Sequence, residues 1–567
     1  MRRLMTRLLP LLTALTMAAP TALANPQRPF TEETVYFVVT DRFANGDMGN
    51  DTGGIRGGPS DHGFDPADIG MFQGGDFKGL TARLDYIQGL GATAIWVTPA
   101  VTNKPVQAHS GGRSAGYHGY WATDFLKVDP HLGGNGDFKA FVEAAHARGM
   151  KVILDIVVNH TADVIQYREC PVPGECPYRS KGDYPAAGYV PQVPAAERAV
   201  KNPAWLNDPT HYHNRGDSLF HGESSLLGDF FGLDDLNTEQ PAVIEGLIDI
   251  YKHWISTYRV DGFRLDTARH VGPAFWHRFI PAITAHAKAE GIPDFFIFGE
   301  VADINIAALA GATHESRLPS VLDFAFFQAS IDMLALGKGT VGWEALLRGD
   351  ALYAEGAAAT LTTFISNHDH GRMAYLIRKH NPDMPADQVQ ARVALGYALM
   401  FLGRGVPVIY YGDEQGFMGL GDDKQARQPM FASPTRQYRE EERLSPTVAR
   451  GGDSYDRAHP LYRAITELAT LRRDHPTLRQ GRTQIRYVEE KGGLLVFSRI
   501  AEDQEYLIAI NAGDTVRSLG AVVEEATTPW QAVRGSGCSA PATAPTAQPL
   551  SVPALDYVVC RRSLAAG

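Results

Sequence analysis

The chain has 567 residues, 44% of them hydrophobic and 21% charged, which is an ordinary globular composition with enough apolar material for two or more domains. Its formal net charge is −11, and an acidic surface argues against nucleic acids and anionic membranes as partners.

The first 24 residues have the pattern of a secretory signal peptide, with a basic start, an apolar run and a small-residue end. This pattern predicts Asn25 as the first mature residue. A membrane anchor is the alternative, but the apolar run is short and is interrupted by Pro10 and Pro20. No later segment is apolar for long enough to span a bilayer, so we expect export to a periplasm or out of the cell.

Eight apolar runs rich in β-forming residues follow, and several of them are separated by amphipathic segments such as 136–149 and 242–256. The runs are TVYFVVTDRF (34–43), ATAIWVTP (92–99), KVILDIVVNH (151–160), VDGFRLDTARH (260–270), FFIFGEV (295–301), SVLDFAF (320–326), TLTTFISNHD (360–369) and VPVIYYGDE (406–414). Strands that are apolar on both faces and alternate with helices predict an α/β fold, a (β/α)8 TIM barrel.

Two stretches depart from this alternation. Residues 161–234 are irregular and rich in Gly, Pro and Asp, and they are too long for a connecting loop, which predicts a small inserted domain. After the helix-like segment 459–481, short alternating runs predict a C-terminal antiparallel β-sandwich. The predicted organisation is a signal peptide (1–24), a first barrel part (25–160), an inserted domain (161–234), a second barrel part (235–482) and a C-terminal domain (483–567).

The four cysteines are Cys170, Cys176, Cys538 and Cys560. An even count in an exported chain predicts two disulfides. Proximity along the chain favours Cys170–Cys176 and Cys538–Cys560 among the three possible pairings. A metal site is the alternative, but none of the cysteines has CxxC spacing.

Acidic residues stand at the carboxyl ends of three predicted strands, where TIM barrels carry their functional groups. They are Asp266, Glu300 and Asp369. Asp266 could also belong to a structural ion pair with Arg264, which lies two residues earlier on the same face of the strand. Three carboxylates at three strand ends favour a shared site at the barrel mouth.

The segments DIVVNH, GFRLDTARH, FGEV and FISNHD resemble, in order and placement, the four short conserved regions of the α-amylase family, glycoside hydrolase family 13. The segment GLDDLN (232–237) is similar to the short motif that ends the family's inserted domain. The resemblance covers about 30–560. It implies an endo-acting hydrolase that cleaves internal α-1,4-glucosidic bonds in starch, glycogen or maltodextrins with retention of anomeric configuration. We expect this enzyme to be a monomer.

The resemblance also implies roles for single residues. Asp266 is similar to the family's nucleophile, Glu300 to its general acid/base, and Asp369 to the carboxylate that binds sugar hydroxyls. A retaining glycosidase needs the first two groups about 5–5.5 Å apart. We expect Arg264 to keep Asp266 ionised and the apolar run before Glu300 to raise the pKa of that residue.

Further residues resemble groups that bind the sugar at the cleavage point. An aromatic platform is expected because one face of a sugar ring is an apolar C–H surface; core packing is the alternative role for Tyr120. The implied substrate-binding residues are Tyr120, His160, Arg264, His368, His118, Trp121 and Arg427.

Calcium, which takes six to eight oxygen ligands, is implied at two places. One ion would lie between the barrel and the inserted domain, held by Asn159, Asp235 and the backbone carbonyl of His270. The other resembles an N-terminal loop site of cyclodextrin glycosyltransferases; a solvated turn cluster is the alternative. Its implied ligands are Asn45, Asp47, Asn50, Asp51, Gly74 and Asp76.

The resemblance leaves other reactions of this family open. A glucanotransferase, a cyclomaltodextrinase or a pullulanase-type enzyme would carry the same three carboxylates, and acceptor residues such as Phe275, Trp276 and those in 226–231 would distinguish them. The short C-terminal tail favours simple hydrolysis. A non-catalytic carbohydrate-binding homologue usually loses a carboxylate or carries an anchor, and the sequence shows neither feature.

Overall fold

The structure is a computed structural model that describes residues 25–109, 112–170, 175–445, 452–524, 528–538 and 547–564. The predicted signal peptide therefore lies outside the described residues. Within these ranges, no helix combines the length and apolar character that crossing a bilayer requires.

Seven parallel strands form the wall of a barrel, which confirms the predicted fold class. Almost every residue of these strands is buried, because helices cover the outer face and side chains fill the interior. In spatial order the strands are Phe296–Gly299, Gly262–Leu265, Lys151–Ile156, Ala94–Val97, Val35–Val38, Val406–Tyr410 and Thr362–Thr363.

The ring closes through two single-residue parallel bridges instead of the predicted sixth strand at 320–326. Val321 pairs with Gly299, and Leu322 pairs with Thr362. The strand prediction is wrong for the rest of the run, because Asp323 accepts a hydrogen bond from the Phe326 amide and starts a helix there. An apolar run with no alternation does not separate a buried strand from a buried helix.

Twelve helices among the described residues surround the barrel and connect its strands. The predicted single helix at 459–481 is two helices, because Pro476 pushes His475 out of the helical region (φ −125°) and ends the first helix at Asp474. The twelve are Phe77–Ala82, Leu84–Gly89, Gly134–Ala147, Pro241–Tyr258, Pro273–Ala289, Ile306–Glu315, Phe324–Leu334, Val341–Arg348, Met373–His380, Ala386–Leu402, Pro460–Asp474 and Pro476–Gln480. Four further short helices in the described ranges are Pro59–His62, Ser224–Leu227, Ala357–Thr360 and Arg436–Glu440.

Two long excursions leave the barrel on its carboxyl-terminal side. After the strand Ala94–Val97, two antiparallel pairs that the sequence did not predict carry between them the segment GYHGYW (116–121), which contains Tyr120. The pairs are Val101–Asn103 with Ala122–Val128, and Val106–His109 with Gly112–Ala115. After Lys151–Ile156, the segment 161–234 contains mainly turns and one short pair, Gln166–Tyr167 with Pro191–Gln192, and the predicted disulfide Cys170–Cys176 is present.

The C-terminal part is an antiparallel β-structure with its own small core, as predicted. The second predicted disulfide, Cys538–Cys560, lies in this core. The larger sheet contains, in spatial order, Arg482–Tyr487, Leu494–Ile500, Gln504–Asn511, Asp556–Ser563 and Gln531–Arg534, and the smaller sheet contains Arg517–Val522 and Ala547–Val552.

Candidate active site

The three predicted carboxylates lie at the same end of the barrel. The Asp266 amide donates to the Ile156 carbonyl and the Glu300 amide to the Leu265 carbonyl, both at 2.9 Å, so each residue extends the strand hydrogen bonding by one step. Asp369 stands in the turn after Thr362–Thr363, where its amide donates to Asn367 Oδ1 at 3.0 Å. Parallel strands therefore carry all three to one rim.

One guanidinium connects two of them. Arg264 Nη1 lies 2.6 Å from Asp266 Oδ1 and 2.9 Å from Asp155 Oδ1, and Nη2 lies 2.9 Å from Glu300 Oε1. Arg264 is 1% exposed, so its charge has these carboxylates in place of water. The ion pair and the shared site, which the sequence offered as alternatives, are the same arrangement.

Asp155 is part of this cluster; the sequence places it at the functional end of the third predicted strand but gives it no specific role. It is the register partner of Arg264 across two neighbouring strands. Its Oδ2 accepts from Trp96 Nε1 at 3.1 Å and from the Tyr120 hydroxyl at 3.0 Å. The available signal was a charge inside the apolar run KVILDIVVNH, since a buried strand carries a carboxylate only where a partner compensates it.

The titration of the two central carboxylates is dominated by burial. Burial raises the pKa of Asp266 and of Glu300 to about 7, although Arg264 opposes the shift in both. The raised pKa of Glu300 agrees with expectation, whereas Arg264 does not by itself keep Asp266 ionised. Because the two groups interact closely, they titrate as a unit and share protons near neutral pH.

Asp369 behaves in the opposite way. Burial favours its neutral form, but His368, Arg427 and Arg264 outweigh this effect and lower the pKa of Asp369 to about 2. Arg427 Nη2 lies 3.0 Å from Asp369 Oδ1, and Arg427 Nε donates to the His368 carbonyl at 2.9 Å. Asp369 is therefore ionised at any ordinary pH, and its side chain is 36% exposed.

His160 and His368 carry buried ring nitrogens, Nε2 and Nδ1 respectively, without a hydrogen-bond partner in the described part of the chain. Burial lowers the pKa of both rings to about 3, so they are neutral. Buried polar atoms without a partner are uncommon in folded proteins. A neutral imidazole in this state can bond a sugar hydroxyl, which both donates and accepts.

Tyr120 is only partly buried, and its ring lies near two histidine rings. Its ring centroid lies 5.6 Å from those of His118 and His368, with 20° between the planes in both cases. Its hydroxyl is 2.8 Å from His368 Nε2, and Trp121 packs edge-on against His118. These contacts join the GYHGYW segment to the rim and argue against a role as core filler.

Three phenylalanines, Phe220, Phe230 and Phe231, lie beside this rim. The sequence assigned the range 226–231 to acceptor binding but singled out none of them. Phe230 stacks on His160 with ring centroids 5.5 Å apart, and the ring centroids of Phe231 and Phe220 are 4.7 Å apart. Phe231 is 73% exposed and has a left-handed φ of 53°, a conformation that costs a bulky residue about 1–3 kcal/mol.

The expectation that Phe275 and Trp276 contact an acceptor sugar is wrong. Both lie in the helix Pro273–Ala289 and are 1% and 0% exposed. They pack against the barrel because this helix presents its apolar face to the sheet.

The first implied calcium site brings together Asn159 and Asp235, which hydrogen-bond through their side chains. Asp235 Oδ2 also lies 2.5 Å from His213 Nδ1, and burial raises the pKa of Asp235 to about 7. No group of three or more His, Cys, Asp and Glu side chains in the described ranges has an arrangement suited to a metal ion. Any ion here would therefore also depend on amide and carbonyl oxygens, such as that of His270.

The second implied site fits a cation more closely. Asn45 Oδ1 and Asn50 Oδ1 are buried and lack a hydrogen-bond partner in the described ranges. Gly74 has φ +97°, and a Cβ there would lie 2.5 Å from Asn45 Nδ2, so only glycine fits. Asp51 and Asp76 hydrogen-bond to Asn45 and Asn50 respectively. The Asp47 carboxylate instead pairs with exposed Lys78 at 3.0 Å.

Comparisons with known proteins agree with this geometry. The model of the α-amylase catalytic domain matches residues 37–481. An α-amylase of Streptomyces lividans is 41% identical over 526 residues, which cover 88% of this chain and 57% of the relative.

Two solved structures match almost the whole chain. An Anoxybacillus α-amylase has a TM-score of 0.72 and 28% identity, covering 95% of this chain and all of the other. A cyclomaltodextrin glucanotransferase with three domains has the same TM-score and identity, covering 94% and 99%. The chain spans only part of the length of the first curated relatives it matches, about half of one (57%) and about a third of the other (34%).

Proposed function

The chain belongs to the α-amylase catalytic-domain family, and on this premise we propose that it is an endo-acting α-1,4-glucan hydrolase that retains anomeric configuration. Its substrates are starch, glycogen or maltodextrins. The observation that carries the proposal is that Asp266 and Glu300 bond to one buried guanidinium, with ionised Asp369 on the same rim.

In this mechanism Asp266 attacks the anomeric carbon while Glu300 gives its proton to the departing glycosidic oxygen. Glu300 then takes a proton from water, which attacks the same carbon and releases Asp266. The proton of the coupled pair must therefore rest on Glu300 before attack. The shorter contact of Arg264 with Asp266, 2.6 Å against 2.9 Å, favours this distribution.

The surrounding residues hold the sugar in place. Asp369 accepts from sugar hydroxyls and is kept ionised by Arg427. His160 and His368 supply their unpartnered ring nitrogens, and Tyr120 offers a ring face to the apolar side of the sugar. His118 packs against Tyr120, and Trp121 packs against His118, which holds Tyr120 in position.

We include calcium in the proposal as a structural ion. At the N-terminal loop, Asn45, Asn50, Asp51, Asp76 and the Gly74 carbonyl would hold it, and the two unpartnered amide oxygens support this assignment. At the other site, Asn159, Asp235 and the His270 carbonyl would link the segment 161–234 to the barrel. Bound calcium supplies positive charge that cross-links oxygen-rich loops.

Calorimetry with and without a chelator tests this part. Chelation should lower the unfolding temperature of the parent, and Asn45→Ala/Asn50→Ala should reduce that difference. The matched control is Asn305→Ala, at an exposed helix start. An unfolding temperature that does not respond to chelation would remove calcium from the proposal.

The remaining parts concern organisation and location. We propose that 161–234 acts as an inserted domain between barrel parts 25–160 and 235–482, with a separate domain at 483–567. We also propose export as a monomer after cleavage before Asn25. N-terminal sequencing and light scattering on the secreted protein test both points.

Transfer to a sugar acceptor is the second candidate outcome. The exposed ring of Phe231 beside the rim could hold an acceptor sugar in place of water. A solved glucanotransferase with three domains has nearly the same length as this chain, so the short tail does not by itself favour hydrolysis.

Product analysis on maltoheptaose distinguishes the two outcomes. Hydrolysis should give shorter chains, and NMR should show that their new reducing ends are released as the α anomer. Asp266→Asn should remove the activity, whereas the control Asp303→Asn, a partly exposed residue paired with Arg269, should keep it. Mainly longer chains or rings would show that transfer dominates, and a β anomer would overturn retention.

A further inference from the structure

A cavity of about 390 Å³ lies at the opposite end of the barrel from the carboxylates. Thr34, Thr93 and Met150 line it and directly precede the strands Val35–Val38, Ala94–Val97 and Lys151–Ile156, so the cavity opens at the amino ends of these strands. Its charged lining consists of Arg28, Arg148, Arg472, Arg473, Arg479 and Glu32.

Five arginines against one glutamate is an unusual lining in a chain of net charge −11. Three of the arginines have acidic partners outside the lining. Their ion pairs are Arg28–Glu33 at 3.1 Å, Arg148–Asp85 at 3.0 Å and Arg473–Asp474 at 2.9 Å. The other two have only backbone carbonyls.

Arg472 is 2% exposed and donates to the carbonyls of Phe401 and Gly403 at 2.8 and 3.1 Å. Arg479 donates to the carbonyls of Arg472 and Arg473 at 2.9 and 2.8 Å. Within the described ranges, no carboxylate lies within ion-pair distance of Arg472 or Arg479, and the Nε of each is buried without a partner.

No carboxylate in the described ranges compensates this positive charge. Burial and the neighbouring cations Arg499 and Arg479 lower the pKa of Arg472 to about 9. A buried charge without a counter-charge is costly. A bound anion in the cavity would offset this cost.

We propose that the cavity is a binding site for an oxyanion of the phosphate class, either free or as the phosphoryl group of a small ester. Guanidinium groups match the geometry of phosphate oxygens and bond them in pairs. The lining contains no aromatic residue, which argues against a second site for sugar rings. This inference does not depend on the proposed hydrolysis, because the cavity and the carboxylate rim lie at opposite ends of the barrel.

Calorimetric titration of the full chain with inorganic phosphate tests the proposal, with sodium chloride at equal ionic strength as the reference. Arg479→Gln should weaken phosphate binding about tenfold, the loss expected for charge-assisted hydrogen bonds. Arg148→Gln/Arg473→Gln, whose side chains are 33% and 67% exposed, should give a similar loss if Arg479→Gln does not fold. The control Arg436→Gln removes an arginine whose side chain is 84% exposed and should bind like the parent.

A second set of titrations compares glycerol phosphate and glycerol with inorganic phosphate. Tighter binding of glycerol phosphate than of phosphate assigns the site to an ester, and equal binding assigns it to the free ion. All variants should hydrolyse maltoheptaose at the parent rate, so the outcome is separate from that of the proposed function. A parent that responds to phosphate no more than to chloride, or variants that bind like the parent, would overturn the proposal.

Discussion

The two ends of the barrel use buried arginines in opposite ways. At the carboxyl-terminal rim, Arg264 contacts Asp155, Asp266 and Glu300 within 3 Å. At the other end, Arg472 and Arg479 bond only to backbone carbonyls of the described residues. Three carboxylates, whose pKa values burial raises, surround the first cation, whereas no carboxylate of the described residues lies beside the second. Burial alone therefore does not define the function of an arginine, because the charges it meets differ.

The largest expected effect concerns the rim. Glu300→Gln should lower kcat/KM on maltoheptaose about 10³-fold, because the leaving oxygen no longer receives a proton. With maltotriosyl fluoride the loss should be much smaller, since fluoride leaves without protonation. The two rates, measured on the same preparation, give the comparison. Equal losses on both substrates would contradict the general-acid role.

The contrast between the two arginines can be tested directly. Arg264→Met should lower the free energy of unfolding by about 3–5 kcal/mol, because three buried carboxylates lose their shared cation. Arg472→Met should cost about 1 kcal/mol, because it leaves carbonyls without a donor but also removes an uncompensated charge. Urea unfolding measures both. Equal losses of unfolding free energy, or a larger loss for Arg472→Met, would contradict the proposed difference between the two arginines.

A smaller effect is expected at the exposed phenylalanine. Phe231→Gly should lower the ratio of transfer to hydrolysis roughly threefold, because the acceptor loses a stacking surface. The unfolding temperature should stay close to that of the parent, since glycine adopts a φ of 53° without strain. Leu555→Gly has a similar backbone, φ 49°, in the C-terminal part and should leave the ratio unchanged. An unchanged ratio in Phe231→Gly would remove this residue from acceptor binding.

The last expected effect is on how the stability of the fold depends on pH. Burial raises the pKa of Asp266 from 3.8 to about 7, so the folded protein holds a proton that the unfolded chain releases, and folding stability falls as pH rises between about 4 and 7. Asp266→Asn does not titrate. It should be more stable than the parent at pH 8, and this advantage should shrink toward pH 4. A difference that does not change with pH would show that burial does not control this carboxyl.

The sequence by itself determined the barrel, the C-terminal β-structure, both disulfides and the three strand-end carboxylates. These depend on local patterns: apolar runs of strand length, helical spacing, turn residues, and cysteines near each other in the chain. The family motifs placed Asp266, Glu300 and Asp369 at ends that parallel strands must bring together.

Only the tertiary structure decided which side chains meet. The register of neighbouring strands places Asp155 beside Arg264, 109 residues away. Packing exposes Phe231 while burying Phe275 and Trp276, and helix capping by Asp323 replaces the expected sixth strand. The arginine cavity gathers residues from both ends of the described barrel sequence, Arg28 to Arg479. The physical reason is that charge compensation and burial depend on neighbours that are distant along the chain, and no local periodicity records them.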